Sequence, residues 1–278
     1  MRLLVTNDDG VSSPGLAALR SALAPLGEVL LVAPDAERSA IGHAITTSTP
    51  LRVSEYLDPQ GGFIGYSVNG TPADCVKLAL GSIHRSNPPD IVVSGINRGQ
   101  NTGTSIIYSG TVSAATEARI LGCPSIAVSL GSAQPKDWSV AAEVACSVAR
   151  LVLARGLPER VLLNVNVPAR PREEILGVRI TRQGQSGFEE VFHIRADPRR
   201  EPYYWLAGAF RVTDVEEDTD AWALEQGWIS ITPVSYDLTA KDALAGLEAW
   251  RSELWSGTSP QASVPKRRSP KSPRPGTM

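Results

Sequence analysis

The stretch Leu3 to Thr6 is a short apolar run and Val29 to Ala33 is another. Between them Leu16, Leu19, Leu23 and Leu26 recur at spacings of three, four and three. That pattern predicts strand, helix, strand. Ser12 and Ser13 offer caps, Pro14 suits a first turn, and Gly27 can close the helix. Both strands read as buried on two faces, as parallel strands joined by a crossover helix are. The rhythm continues with a strand at Phe63–Val68, a helix after Asn69-Gly70-Thr71-Pro72, a strand at Asp90–Ser94 and a helix from about Gly110 to Leu121. Ser125–Leu130, a helix over Val140–Ala154 and Val161–Val165 complete it. The predicted fold is α/β: a Rossmann-like, doubly wound, mostly parallel sheet.

Beyond Pro168 the rhythm changes. Val178–Thr181, Phe188–Ile194 and Tyr203–Leu206 read as strands with no helix between them, which predicts antiparallel hairpins. This region concentrates Tyr203, Tyr204, Trp205, Phe210, Trp222 and Trp228. An oligomer contact, a lid over an active site and a satellite core each account for such a cluster. Leu244, Leu247, Trp250 and Leu254 predict a last amphipathic helix within Thr239–Trp255. The domain reading is one body over 1–255, with a core at 1–168 and a hairpin and helical extension at 169–255.

Charge separates the end of the chain from the rest. The 278 residues carry 27 Lys+Arg and 29 Asp+Glu, a formal net charge of −2. From Ser256 to Met278, however, five basic residues and five prolines stand without an acid. That stretch, at +5, reads as a disordered basic tail, and it leaves −7 for residues 1–255. An acidic body excludes nucleic-acid binding through a broad basic face, and no stable nucleic-acid complex is expected. Glu143 and Arg150 interrupt the most apolar long stretch, so no membrane span is expected. Cys75, Cys123 and Cys146 are odd in number and scattered, which argues against a disulfide framework and for a reducing, cytoplasmic compartment. His43, His84 and His193 form no ligand motif, so metal chemistry must rest on oxygen.

In open parallel sheets, ligands bind beyond the carboxyl ends of the strands. The first strand is followed by Asn7-Asp8-Asp9-Gly10, two carboxylates where a dinucleotide-binding chain would place glycines. Adjacent acids there are tolerable when solvated or bridged by a cation, and an Asp-Gly pair equally serves as a turn or cap. Ser39 and Asn97 are neutral oxygen donors after two further strands. The glycine-rich loop from Gly95 to Gly103 leads to Tyr108-Ser109-Gly110-Thr111, a helix start suited either to phosphate or to an ordinary cap. Arg98 reads either as positive charge near a leaving group or as a solvated loop residue. Convergence of these groups on one sheet edge favours a metal and phosphate site.

With these residues in view, the opening Leu3-Leu4-Val5-Thr6-Asn7-Asp8-Asp9-Gly10 resembles that of the SurE family, stationary-phase survival proteins that act as metal-dependent 5'-nucleotidases. Pro34-Asp35 with Arg38-Ser39, Asn69-Gly70-Thr71-Pro72-Ala73-Asp74-Cys75-Val76, Ser94-Gly95-Ile96-Asn97 and Tyr108-Ser109-Gly110-Thr111-Val112 through Glu117 are similar to its other motifs, in order. The likeness spans roughly residues 1 to 240, and the tail has no counterpart in it. It implies that Asp8, Asp9, Ser39 and Asn97 hold one divalent cation, and that Asn101, Ser109, Gly110 and Thr111 face the phosphate. It further implies hydrolysis of nucleoside 5'-monophosphates, with 3'-monophosphates and short polyphosphate as further substrates, and a homodimer or homotetramer built through the C-terminal extension.

All-oxygen ligands select a hard cation such as Mg²⁺ or Mn²⁺. In-line attack by a metal-associated water, with Asp8 or Asp9 as proton acceptor, is the expected chemistry. One alternative makes Asp8 the nucleophile of a haloacid-dehalogenase-like phosphatase, although such enzymes resemble D-x-D where this chain has D-D-G. Another is a non-catalytic metal and nucleotide sensor.

Overall fold

The structure, a computed structural model, describes residues 1–255; the tail from Ser256, read above as disordered, lies outside them. Met1–Asp237 form one compact unit and a second begins at Leu238. The chain opens with β1 (Arg2–Thr6), α1 (Pro14–Leu23) and β2 (Glu28–Pro34). Ser13 caps α1 by accepting the Leu16 amide, and Pro14 opens it, as the sequence suggested. An antiparallel pair, β3 (Val53–Leu57) and β4 (Phe63–Val68), precedes α2 (Pro72–Leu78). Then β5 (Ile91–Arg98), α3 (Gly110–Ile120), β6 (Ser125–Leu130), α4 (Ser139–Arg155) and β7 (Val161–Val167) alternate.

These strands join in one nine-stranded sheet whose order is β3-β4-β2-β1-β5-β6-β7, continued by two later strands. From β4 through β7 every neighbouring pair is parallel. Leu3 and Val5 of β1 pack with Leu16, Leu19 and Leu23 of α1 and Ala145 of α4 on one face. Leu4 packs with Val76 of α2 and Ala114 and Ala118 of α3 on the other. Burial on both faces is why these strands lack polar alternation, and each buried Leu contributes about 2 kcal/mol.

After β7 come β8 (Gly177–Ile180), β9 (Gly187–Ala196), β10 (Pro202–Arg211), α5 (Asp220–Gln226) and β11 (Trp228–Ser235). β9 and β10 form the expected antiparallel hairpin. Val178–Ile180, by contrast, belongs to no hairpin: β8 pairs in parallel with β11, which itself runs antiparallel to β7. The sequence reading missed β11 because Pro233 interrupts it. Proline is tolerated here because the pairing with β8 ends at Ile231, so residue 233 lies past that ladder.

In the second unit, the predicted single helix over Thr239–Trp255 is instead α6 (Leu244–Glu248) and α7 (Arg251–Leu254). Neither has a side-chain N-cap, and Gly246 lies inside α6. The apolar spacing was helical, but the local chemistry that starts and sustains a helix is missing. Among the described residues, no helix is long and apolar enough to cross a membrane.

Candidate phosphate and metal site at the sheet switch point

β1 lies between β2 and β5: the chain passes from β1 to β2 on one side, then after β4 crosses back to β5 on the other, and this reversal opens a crevice at the carboxyl ends of these three strands. Asp8 and Asp9 follow β1 there, Ser39 follows β2 and Asn97 stands near the end of β5. Hydrogen bonds join the three ends. The Arg38 amide donates to the Asp8 carbonyl (2.7 Å), and the Arg98 amide donates to Asp9 Oδ2 (3.3 Å).

Asp8 is buried against the start of α3. Its Oδ2 accepts the Thr111 amide (3.1 Å) and its Oδ1 accepts the Thr111 hydroxyl. A Cβ on Gly110 would stand 2.8 Å from Asp8 Cβ and 2.9 Å from Oδ2, so residue 110 must be glycine for the helix to come this close. Burial pushes the Asp8 carboxyl up to about 6, against the Thr111 hydroxyl bond, and the Asp9 charge pushes the same way as burial. Burial also raises Asp9, opposed chiefly by the Arg98 amide and guanidinium. Arg98 Nε donates to Asp9 Oδ1 (3.0 Å) and its Nη2 to Glu37 Oε2. Ser39 is exposed and donates to Glu37 Oε1 (2.6 Å). Asn97 donates from Nδ2 to the Gly99 carbonyl (2.8 Å), which turns its amide oxygen the other way.

At α3, Ser109 Oγ accepts the Val112 amide (3.1 Å) and the Ser109 carbonyl accepts the Ser113 amide (3.0 Å). With Thr111 bonded to Asp8, the Gly110 amide is the one of these first four that none of these bonds takes up. The helix start thus serves both readings, as a capped terminus and as a donor surface. Asn101 is buried, its Nδ2 donating to Ser129 Oγ (2.8 Å) and its backbone amide to Asn166 Oδ1 (2.8 Å).

These residues suit a hard divalent cation. Among the described residues no three His, Cys, Asp or Glu gather as a metal cluster, so a cation here needs neutral oxygens beside Asp8 and Asp9. Ser39 and Asn97 supply that kind of donor, and burial leaves the Asp8 carboxylate short of solvation.

The family model described as "Survival protein SurE" matches residues 3–190. The chain belongs to the SurE family. It is 50% identical over 250 residues to the 5'-nucleotidase SurE of Syntrophus aciditrophicus (strain SB), covering 90% of this chain and 93% of that one. The 5'-nucleotidase SurE of Heliobacterium modesticaldum is 46% identical, with 96% and 97% covered. The crystal structure of the SurE protein from Aquifex aeolicus superposes with a TM-score of 0.79 at 42% identity, over 90% of this chain and all of that one.

Several supports of this SurE site were not read from the sequence. Asn164 Nδ2 and Asn166 Nδ2 both donate to the Asn101 carbonyl (2.7 and 3.1 Å), and the signal for them is two asparagines in an otherwise apolar strand. Asp220 at the start of α5 accepts the Gly103 and Gly184 amides (2.9 and 3.0 Å), tying the C-terminal half to the glycine-rich loop. Nothing local marks that aspartate. The aromatic cluster also divides: Trp222 and Trp228 flank the Arg179 guanidinium (5.3 and 4.7 Å), whereas Tyr203, Tyr204 and Trp205 are exposed on the β9–β10 hairpin.

Proposed function

We propose that this SurE-family chain is a metal-dependent phosphatase that hydrolyses nucleoside 5'-monophosphates, with 3'-monophosphates and short polyphosphate as further substrates. The observation that carries the reading is the Asp8 carboxylate buried against the Thr111 amide and hydroxyl, at the mouth of the sheet's switch point. Asp8, Asp9, Ser39 and Asn97 would hold one Mg²⁺ or Mn²⁺. When bound, such a cation polarises a phosphoryl oxygen and makes a bound water more acidic. Thr111 fixes the Asp8 carboxylate, and the Gly110 amide with the Ser109 and Thr111 side chains lines the place for phosphoryl oxygens. Asn101, held by Ser129, Asn164 and Asn166, fixes the loop that follows β5 and faces the phosphate from there. Asp8 or Asp9 is the available proton acceptor.

The exposed apolar hairpin residues Phe188, Phe192, Ile194, Tyr204 and Trp205 support a homodimer or homotetramer. The reading carries a cytoplasmic location with it, and light scattering of the purified chain tests the assembly. The function is tested by phosphate release from AMP and GMP after EDTA treatment and after Mn²⁺ add-back, with Asp8→Asn and Asp9→Asn proteins as controls. Release that persists in EDTA overturns the metal dependence, and no release from any monophosphate favours the sensor. A labelled phosphoenzyme trapped by acid would favour the haloacid-dehalogenase-like route.

A further inference from the structure

Two buried carboxylates outside the catalytic proposal, Glu117 and Asp74, face the same piece of chain. The segment between Ser39 and Arg52 has no strand or helix, yet it is fastened at successive points. The Gly42 amide donates to the Tyr108 carbonyl (3.0 Å), directly before the Ser109 cap of α3. His43 Nε2 donates to Glu117 Oε2 (2.9 Å), whose other oxygen takes Lys77 Nζ (2.5 Å). Thr71 Oγ1 donates to the Ala44 carbonyl (2.7 Å). The Thr46 amide and hydroxyl donate to the two oxygens of Asp74 (2.9 and 2.6 Å).

The fastening has a direction. Glu117 is seven residues beyond Gly110 on α3, so the two share a face about 10 Å apart. Gly110 meets Asp8, and Glu117 meets His43. The Arg38 amide is itself bonded to the Asp8 carbonyl. Ser39 therefore sits in a five-residue span, 38–42, pinned at one end to Asp8 and at the other to Tyr108 and, through His43, to α3. Within this span Ala40 and Gly42 are in the left-handed region (φ 54° and 59°), a tight path with little freedom to redirect the Ser39 hydroxyl once both ends are held. Burial pushes the Glu117 carboxyl up, but the His43 and Lys77 bonds outweigh it and hold it below its usual range, so a charged carboxylate waits for His43.

We propose that His43, through Glu117, is a positioning residue that sets the Ser39 oxygen at the cation site. The inference rests on the metal reading above and names a residue that reading does not use. It is tested on the full-length chain with His43→Ala, which leaves Glu117 paired to Lys77, and with His43→Gln, whose amide can still donate to Glu117. Mn²⁺ affinity is measured by calorimetry on EDTA-treated protein, and trypsin cleavage after Arg38 and Arg52 is followed without metal. His43→Ala should weaken Mn²⁺ binding about fivefold, the equivalent of one lost hydrogen bond, and should speed cleavage at these arginines. His43→Gln should recover both. Unchanged Mn²⁺ affinity in a folded His43→Ala protein, whether or not cleavage accelerates, overturns the positioning role alone. A wild-type chain that binds no Mn²⁺ overturns the metal reading and this inference with it.

Discussion

Gly110 lies against Asp8 so closely that a Cβ at residue 110 would fall 2.9 Å from the carboxylate oxygen Oδ2. Helix α3 and the end of β1 are thus fitted to each other through the absence of a side chain. Gly110→Ala has to push the helix start away from Asp8. We expect a fall in kcat/KM of at least about tenfold, with a loss of about 1–3 kcal/mol in stability from overpacking. Steady-state kinetics and urea melts check both.

Thr111 supplies both an amide and a hydroxyl to Asp8. Thr111→Val keeps the shape and the amide but removes the hydroxyl, leaving a buried carboxylate with one donor fewer. The expected cost is about 1.5–3 kcal/mol in metal-free stability, the range for hydrogen bonds to charged groups, and Thr111→Ser should recover most of it. Thermal melts of EDTA-treated proteins read the difference.

Arg98 balances Asp9 and Glu37 together. Removing the guanidinium leaves Asp9 with less opposing charge, so Arg98→Ala should lower the melting temperature without metal. Added Mn²⁺ should then raise it by more than in the parent chain. An equal Mn²⁺ shift in both proteins contradicts this account of Arg98.

Asp74 gives the pH dependence a sign. Burial pushes its carboxyl up, but the bonds from Thr46 and Thr71 outweigh burial and hold it below its ordinary 3.8. A carboxyl depressed in the folded state contributes stability that is fully present above the unfolded value and is lost as pH falls through the folded one. The stability gap between the parent and Asp74→Asn should therefore be widest at pH 5–7 and close as pH drops below about 4. A gap that widens on acidification contradicts the assignment.

Much of this architecture was legible in the chain. Leu3, Leu4 and Val5 are apolar without alternation because β1 is covered on both faces, and a parallel sheet then follows from ordinary packing. Asp8-Asp9 were conspicuous because carboxylates at a buried strand end need a reason. What stayed hidden depends on partners distant in sequence. Arg98 read either as positive charge near a leaving group or as a solvated loop residue, and its bonds to Asp9 and Glu37 lie with residues 89 and 61 positions away. The resemblance implied that Asn101 faces the phosphate, and nothing in the glycine-rich loop itself shows that the Asn101 side-chain amide donates to Ser129, 28 residues away. β11 was obscured by a proline whose tolerance depends on where its neighbour strand stops.

The central claim is that Asp8 and Asp9 together hold one divalent cation. Its most direct test is a Mn²⁺ titration followed by electron paramagnetic resonance on the EDTA-treated chain and on folded Asp8→Asn and Asp9→Asn proteins. The account predicts one tight Mn²⁺ per chain in the parent, with affinity lost in each variant. Binding that survives both substitutions, or a parent chain with no tight Mn²⁺ at all, would contradict it.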